Sequence, residues 1–214
     1  MLRHVLIDFD GVAGVVNRGT ALAAAEPIRH WFRVDPDRVI DDYFYGNPRN
    51  GDLDLGRVRV REVREADRPA LWSGPADVWQ AWWQAVENSY EFQRPLAALV
   101  DRWRTNARFV LVTDNHLDFG EWLARRSDFA GRFDALVCSA ETGIKKPDPR
   151  VFQRTVGAGG CLAEAVYLDD SAVNVAAAQA LGLRSIHVTD IQRAVEELEA
   201  LLAAAFGERK GSLK

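Results

Sequence analysis

Five short, largely apolar runs, each followed by polar residues, constrain the fold of this chain more than any other feature of its sequence. Their length and their content of Val, Ile and Leu are typical of buried strands. After the first run they recur at intervals of roughly 20 to 35 residues, with helical patterns between them, as in a parallel sheet of βαβ units. The sequence therefore predicts an α/β fold. The runs are Val5–Ile7, Phe109–Val112, Ala135–Cys138, Ala165–Leu168 and Ser185–Val188.

Helical patterns follow the last four runs. Pro149 stands where a first helical turn tolerates proline, and Gly182 and Gly207 stand where glycine favours the end of a helix. The polar tail, residues 208–214, is predicted to be frayed. The predicted helices cover residues 118–126, 148–156, 173–181 and 195–206.

Residues 15–92, which we call the insertion, differ from the rest in being rich in helix formers and tryptophan. We expect a helical cap over 15–92, inserted into an α/β core formed by 1–14 and 93–214. Helices are predicted over 21–32 with a break at Pro27, from 35–37 onward, and over 76–90. Five of the seven tryptophans lie here and predict an apolar core. Contact of these rings with substrate, or with a second copy of the chain, is left open as an alternative. They are Trp31, Trp72, Trp79, Trp82 and Trp83.

Charge and composition exclude several classes of function. The 27 Lys and Arg against 31 Asp and Glu give a net charge of −4, which does not favour a nucleic-acid partner. Apolar stretches such as 200–206 are far shorter than the ~20 residues needed to cross a membrane. The N-terminus lacks the pattern of a secretion signal, so a cytoplasmic location is expected. Cys138 and Cys161 show no zinc spacing, and we interpret them as two small buried or half-buried thiols.

Acidic side chains follow two of the predicted strands. Asp8 and Asp10 come after the first run, and Asp169 and Asp170 after the fourth. In parallel sheets, ligands bind in the crevice at the carboxyl ends of the strands. Neighbouring carboxylates repel each other and need a cation or a shared proton. If the two acidic pairs are adjacent, they form an all-oxygen site suited to Mg²⁺.

Two further residues extend this set toward phosphoryl transfer. Thr113 offers a hydroxyl after the second run, and Lys146 offers a positive charge in the loop GIKKPDP at residues 143–149. A cation and a lysine would offset phosphate charge and let an anionic carboxylate approach phosphorus. A covalent aspartyl phosphate would then divide hydrolysis into two easier steps.

The four segments together resemble the motifs of the haloacid dehalogenase-like (HAD) superfamily. They are DFDGV at 8–12, Thr113, GIKKPDP at 143–149 and LDDSAVN at 168–174, in the family's order. The resemblance covers about residues 1–14 and 93–188. It implies a three-layer, Rossmann-like core with a small helical cap after the first motif. The stretch 113–188 is similar to the branch that includes sugar-phosphate phosphatases.

The resemblance also implies roles. Asp8 would be the nucleophile and a Mg²⁺ ligand, and Asp10 the general acid and base, with its backbone carbonyl on the metal. Thr113 and Lys146 would hold the transferring phosphoryl group. Lys146 matches the motif rather than Lys145, because it directly precedes Pro-Asp.

In the fourth motif, Asp170 would bind Mg²⁺ directly or through water, with Asp169 assisting, and Asn174 would support the loop. Asp114 departs from the family, which often has a neutral residue there. It is a substrate-binding candidate, but an acid beside phosphate would repel it, so we favour a role in capping a helix that begins near Leu117. His116 is interpreted as a bystander rather than a substrate contact.

The sequence thus predicts a Mg²⁺-dependent phosphatase that acts on a small phosphate monoester, as a monomer or a homodimer. A 2-haloacid dehalogenase is the nearest alternative, and those enzymes typically lack the second acid that Asp10 supplies. A receiver-type phospho-switch is disfavoured, because there the acidic pair comes first in the chain. A non-catalytic scaffold of the same fold is the remaining alternative.

Overall fold

A five-stranded parallel sheet forms the centre of the protein. The computed structural model describes residues 2–46 and 48–207. The strand order is β5-β4-β1-β6-β7, and all four neighbouring pairs are parallel. A separate antiparallel pair joins β2 and β3. The strands are β1 (His4–Ile7), β2 (Gly14–Val16), β3 (Tyr90–Phe92), β4 (Arg108–Thr113), β5 (Ala135–Cys138), β6 (Ala165–Asp169) and β7 (Arg184–His187).

The central strands are apolar throughout because both faces of the sheet are covered. In β1, Val5 and Ile7 belong to the apolar cluster on one face and Leu6 to the cluster on the other. This alternation follows from the two-residue period of a strand. His4 pairs with Arg108 on one side and with Ala165 on the other, so β1 lies between β4 and β6.

Helices cover both faces of the sheet and fill the insertion. Two short irregular turns, a 3₁₀ helix over Glu26–Trp31 and a π-helix over Asp42–Gly46, join helices of the insertion. The helices of the insertion are α1 (Arg18–Ala23), α2 (Pro36–Asp41), α3 (Asn50–Asp54), α4 (Val60–Leu71) and α5 (Ala76–Asn88). Those of the remainder are α6 (Arg94–Trp103), α7 (Phe119–Arg125), α8 (Ser139–Thr142), α9 (Pro149–Val156), α10 (Ala172–Ala180) and α11 (Ile191–Phe206).

The five predicted strands are confirmed, whereas some helix boundaries were wrong. The predicted helix 21–32 is split into α1 and a 3₁₀ helix, and Pro27 lies near the start of the latter. The predicted helix 76–90 ends at Asn88, because Tyr90 already pairs in β3. The last helix begins at Ile191, with Asp190 as its N-cap, and not at Val195.

The insertion leaves and rejoins the sheet through the β2–β3 pair. Gly14 pairs with Phe92 and Val16 with Tyr90, so the two ends of the insertion lie side by side. Between them the helices have their own apolar cluster, which confirms the predicted tryptophan core. The buried tryptophans of this cluster are Trp72, Trp79, Trp82 and Trp83, and Trp31 packs against it half-buried.

Three smaller predictions can be compared with the structure. Cys138 and Cys161 are both free; Cys138 is buried, but Cys161 is exposed, so the burial predicted for it was wrong. Over the described ranges, the helices are all too short or too polar to cross a bilayer. The predicted frayed tail, 208–214, lies outside the described residues.

Candidate active site

The strand order brings the polar strand ends together. Because β1 lies between β4 and β6, the residues that follow or end these strands meet at one edge of the sheet. Asp8 follows β1, Thr113 ends β4 and Asp169 ends β6. All three are buried, although each carries a polar side chain. Buried polar groups need partners, and the site supplies them.

Lys146 links two of the buried acids. Its Nζ donates to Asp8 Oδ1 at 2.5 Å, to Asp169 Oδ2 at 3.0 Å and to the backbone oxygen of Val112 at 3.3 Å. Burial lowers the pKa of Lys146, but the two carboxylates outweigh it and raise that pKa, so the ammonium stays charged. Burial raises the pKa of Asp8 to about 7, and Lys146 opposes the rise.

Asp169 is completely buried and bonded on both carboxylate oxygens. Oδ1 accepts from the backbone N–H of Ser171 at 2.7 Å. Oδ2 accepts from Lys146, from Asn174 Nδ2 at 3.1 Å and from the hydroxyl of Tyr167. Both its location and its bonding suit a carboxylate that holds Lys146 and the loop after β6 in place. Asn174, which the resemblance expects to support this loop, thus bonds to the carboxylate just before it.

Three carboxylates are placed where they can share a cation. One oxygen each from Asp8, Asp169 and Asp170 lies within 4.8 Å of the others. Burial and Asp169 raise the pKa of Asp170, as expected when like charges crowd together. Gly11 approaches closely here, since a Cβ on it would overlap Asp170 Oδ2. Hard oxygen ligands of this kind fit Mg²⁺.

The Asp10 carboxyl group is held by two hydrogen bonds. Its Oδ1 accepts from the Tyr90 hydroxyl at 2.7 Å, and its Oδ2 accepts from Asn115 Nδ2 at 3.4 Å. Burial raises the pKa of Asp10 to about 6, while the bond from Tyr90 opposes the rise. Such a group can exchange a proton near neutral pH.

Sequence reasoning missed Tyr90 and Asn115. Tyr90 was predicted to end a helix, and only its pairing in β3 turns its hydroxyl to Asp10. Asn115 is positioned by Ser139, whose Oγ accepts from the Asn115 backbone N–H at 3.0 Å. Its Nδ2 also lies 3.5 Å from Thr113 Oγ1. The position of Asn115, two residues after Thr113 at a strand end, was the one available signal.

The capping role predicted for Asp114 was wrong. The helix after β4 is α7, whose N-cap is Asp118 and makes no side-chain cap bond. Asp114 Oδ1 instead accepts from the backbone N–H of Lys146 at 3.0 Å. It thereby ties the loop after β4 to the loop that carries the lysine. Burial raises its pKa.

The neighbouring Lys145 points elsewhere. Its ammonium forms an ion pair with Asp54, which ends α3 in the insertion. Lys146, the motif lysine, is therefore the one that contacts Asp8, and Lys145 joins the insertion to the sheet.

A cavity of about 170 Å³ opens between the insertion and the sheet, with Asp10 in its wall. Asp114, Asn115 and His116 line it from the loop after β4, and α3, α5 and β3 contribute the opposite wall. His116 Nδ1 is buried without a hydrogen-bond partner. Burial lowers the pKa of His116 to about 4, so the ring is neutral at pH 7.

Comparisons with known proteins agree with the motifs. The family model of the haloacid dehalogenase-like hydrolases matches residues 2–182. Among solved structures, a HAD family enzyme from Bacteroides thetaiotaomicron in complex with magnesium and inorganic phosphate is 20% identical, with a TM-score of 0.64. The match covers 87% of this chain and 93% of that chain. An L-2-haloacid dehalogenase is 14% identical with a TM-score of 0.63, over 86% of this chain and 83% of that one.

Curated relatives match over shorter stretches. Acyl-CoA dehydrogenase family member 10 of Mus musculus is 41% identical over 103 residues, which are 44% of this chain and 9% of that protein. The sesquiterpene phosphatase astK of Aspergillus oryzae is 35% identical over 71 residues, which are 33% of this chain and 36% of that protein. The matches therefore cover about a tenth of the first of these relatives and little more than a third of the second.

Proposed function

The chain belongs to the haloacid dehalogenase-like hydrolases, and on that premise we propose that it is a Mg²⁺-dependent phosphatase acting on a small phosphate monoester. One observation carries the proposal. A buried lysine contacts Asp8 at 2.5 Å, beside a group of three carboxylates whose oxygens lie within 4.8 Å of one another. Positive charge next to a carboxylate nucleophile is what attack on an anionic phosphate requires.

In the first half of the proposed reaction, a carboxylate oxygen of Asp8 attacks phosphorus. The bond between phosphorus and the ester oxygen breaks, and the ester oxygen takes a proton from the Asp10 carboxyl group. An alcohol leaves, and the phosphoryl group stays on Asp8. Asp10 suits this role because burial raises its pKa to about 6.

In the second half, Asp10 is a carboxylate and removes a proton from a water molecule as the water oxygen attacks phosphorus. The bond between Asp8 and phosphorus breaks, and inorganic phosphate leaves. Both acids return to their starting protonation states. Tyr90 and Asn115 hold the Asp10 carboxyl in one orientation through both halves.

The remaining residues bind and orient the phosphoryl group. Thr113 would donate its hydroxyl to a phosphoryl oxygen, and Lys146 would contact a second one. Asp8, Asp170 and the Asp10 backbone carbonyl would hold Mg²⁺, with Asp169 assisting. When bound, Mg²⁺ neutralises charge on the phosphoryl oxygens.

The insertion, residues 15–92, would act as a cap over this site. Its α3 reaches the loop of Lys146 through the Asp54–Lys145 ion pair, and the cavity beside Asp10 is walled by both parts of the chain. A cap in this position would exclude water and select the leaving group. A cytoplasmic location and a monomeric or homodimeric state remain predictions from the sequence.

A 2-haloacid dehalogenase is the second candidate, because an enzyme of that name shares the fold. That reaction releases halide and needs no proton on the leaving group. The half-buried Asp10, held by two hydrogen bonds, then has no task, so the structure favours the phosphatase. The partial likeness to a sesquiterpene phosphatase supports the same choice.

Phosphate release with Mg²⁺ from 4-nitrophenyl phosphate and a panel of alkyl phosphates tests the proposal. The wild type should release phosphate, and EDTA should stop it until Mg²⁺ is restored. Asp8→Asn should reduce kcat by at least about a thousandfold. Asp101→Asn is the matched control, because that carboxylate pairs with Arg132 away from the site.

Two results would contradict the proposal. One is retention of activity in Asp8→Asn. The other is release of no phosphate from any ester of the panel, which would favour the scaffold. If the protein then released chloride from 2-chloropropionate, the result would favour the dehalogenase.

A further inference from the structure

The cavity beside Asp10 has a continuous aromatic wall. The rings of Phe44 and Tyr90 have centroids 5.9 Å apart, and those of Phe119 and Trp122 are 5.5 Å apart. Tyr90 and Trp122 are also 5.5 Å apart, which joins the two pairs. Leu53, only 4% exposed, adds an aliphatic side chain. A leaving group in this cavity would bury apolar surface.

The charges around the cavity are mostly negative. Asp10, Asp54, Glu87 and Asp114 all line it. Arg64 is the one Lys or Arg among the described residues of its lining, and Glu87 already neutralises it at 2.7 Å. The Arg64 guanidinium also lies over two aromatic rings of the insertion. No cation of the described lining is therefore left to bind a second anionic group of a substrate.

The amides of the cavity are also occupied. Asn115 donates to Asp10 and accepts from the backbone N–H of His116 through Oδ1. Asn50 donates to the backbone oxygen of Phe44 at 3.4 Å. Three buried polar atoms of this lining, His116 Nδ1, Arg64 Nε and Trp122 Nε1, have no partner in the described structure. A sugar's hydroxyls could donate to the carboxylates of the lining, but its hydroxyl oxygens would find few free donors, and each oxygen left unbonded costs free energy.

We propose that the cavity selects an uncharged, predominantly apolar leaving group, so that the substrate class is aryl-alkyl or long-chain alkyl monophosphates rather than sugar phosphates or esters with a second anion. This inference rests on the proposed phosphatase activity and names the substrate of the same site. The phosphate end would lie at Asp8 and Lys146, and the apolar end against Phe44, Leu53 and Trp122.

Three primary alkyl esters test the selection, because their alcohols differ little as leaving groups. They are 2-phenylethyl phosphate, glucose 6-phosphate and 3-phosphooxypropanoate. We expect kcat/KM for the phenylethyl ester to exceed that for the sugar ester by about tenfold or more, as burial of a phenyl ring predicts. The carboxylate ester should be the poorest of the three. Equal or faster hydrolysis of either polar ester would overturn the inference.

Two variants link the preference to named side chains. Phe44→Ser should raise KM for the phenylethyl ester with little change in kcat, whereas Phe32→Ser, which alters a half-buried ring of the tryptophan cluster, should not. Glu87→Gln frees Arg64 and should raise kcat/KM for the carboxylate ester about fivefold. Glu199→Gln removes a comparable ion pair, with Arg102, far from the cavity and should have no such effect. A gain of activity cannot come from misfolding, so an unchanged Glu87→Gln enzyme counts against the inference.

A binding measurement separates this inference from the proposed activity. Calorimetry with Mg²⁺ should show tighter binding of 3-phenylpropylphosphonate than of 2-carboxyethylphosphonate, by about tenfold. The inference is wrong if the order is reversed or the affinities are equal. Absence of turnover with all three esters, together with the expected order of binding, would overturn the phosphatase proposal and leave the selectivity of the cavity supported.

Discussion

Lys146 donates to Asp8 and Asp169 at once, in a site closed to solvent. Burying three charged groups is costly unless each is paired, and a net negative trio remains unbalanced. Asp170 adds another carboxylate at the edge of the group. This concentration of negative charge is a stability cost that makes sense if a cation and a phosphate are to be bound. The individual residues around it should therefore show effects on both stability and metal affinity.

Gly11 packs closely against Asp170, one of the three clustered carboxylates. Its φ is +77°, where L side chains are strained by about 1–2 kcal/mol, and a Cβ would overlap Asp170. Gly11→Ala should lower the Tm and raise the Mg²⁺ concentration needed for half-maximal activity. Gly131→Ala is the control, because φ is +73° there but no atom lies within 4 Å of the new Cβ. Equal metal dependence in the two variants would show that Asp170 is not displaced.

His116 should make stability depend on pH. Burial lowers its pKa from 6.5 to about 4 in the folded protein, so between these values the unfolded chain binds more protons. The free energy of unfolding therefore falls as the pH drops from 7 to 4.5, and His116 accounts for about 2 kcal/mol of the fall. Urea unfolding at both pH values measures it.

The comparison is with His116→Asn, whose loss of stability over the same pH interval should be smaller by about that amount. His30→Asn, at an exposed site, should behave as the wild type. Identical pH dependence in the wild type and His116→Asn would mean that His116 is protonated as easily in the folded protein as in the unfolded chain.

At the scale of elements, the β2–β3 pair positions a side chain at Asp10 that neither strand would position alone. It closes the insertion and carries Tyr90, whose hydroxyl bonds Asp10. Arg126, the residue directly after α7, supports the pair because its guanidinium donates to the backbone oxygens of Glu87 and Tyr90. Tyr90 is thus a positioning residue that acts through Asp10.

Removal of the Tyr90 hydroxyl should affect esters unequally. Tyr90→Phe leaves the Asp10 carboxyl less well oriented, so kcat for alkyl phosphates, whose leaving alkoxides need a proton, should fall about tenfold. 4-Nitrophenyl phosphate releases a stable phenolate and should lose much less. A parallel fall for both classes of ester would point to a general structural defect and not to loss of proton transfer.

The elements also show how far the sequence could predict this structure. The buried strands were predictable because an apolar run covered on both faces has no other stable place. Asp8 and Thr113 were predictable because they follow or end apolar strands, and Lys146 because its loop, GIKKPDP, resembles a family motif. The three-residue strands β2 and β3 were missed, since so short a segment has no periodicity and their pairing joins residues 76 positions apart, as Val15 and Glu91 show. Tyr90 and Asp114 were misjudged for the same reason: their partners are distant in sequence.

At the scale of the whole molecule, the insertion and the sheet are joined by polar contacts around the cavity. Lys145 pairs with Asp54, and Arg59 contacts Asp118 at 2.6 Å. Ion pairs that are partly exposed contribute little stability, so such a junction can open and close at modest cost. A ligand that bridges the two sides, or a cation that gathers the acids at the sheet, should therefore stabilise the protein measurably.

Mg²⁺ binding should be visible in the thermal stability of the whole chain. A ligand at 100 times its Kd adds about 2.7 kcal/mol, which for a protein of this size raises the Tm by roughly 5–10 °C. Asp170→Asn should lose most of this Mg²⁺-dependent rise. Without metal, the same variant should be no less stable than the wild type, because one of three crowded carboxylates is neutralised. Asp101→Asn should keep the full Mg²⁺-dependent rise in Tm. An undiminished rise in Asp170→Asn would place the cation elsewhere, because removal of a metal ligand must remove the binding energy that it supplies.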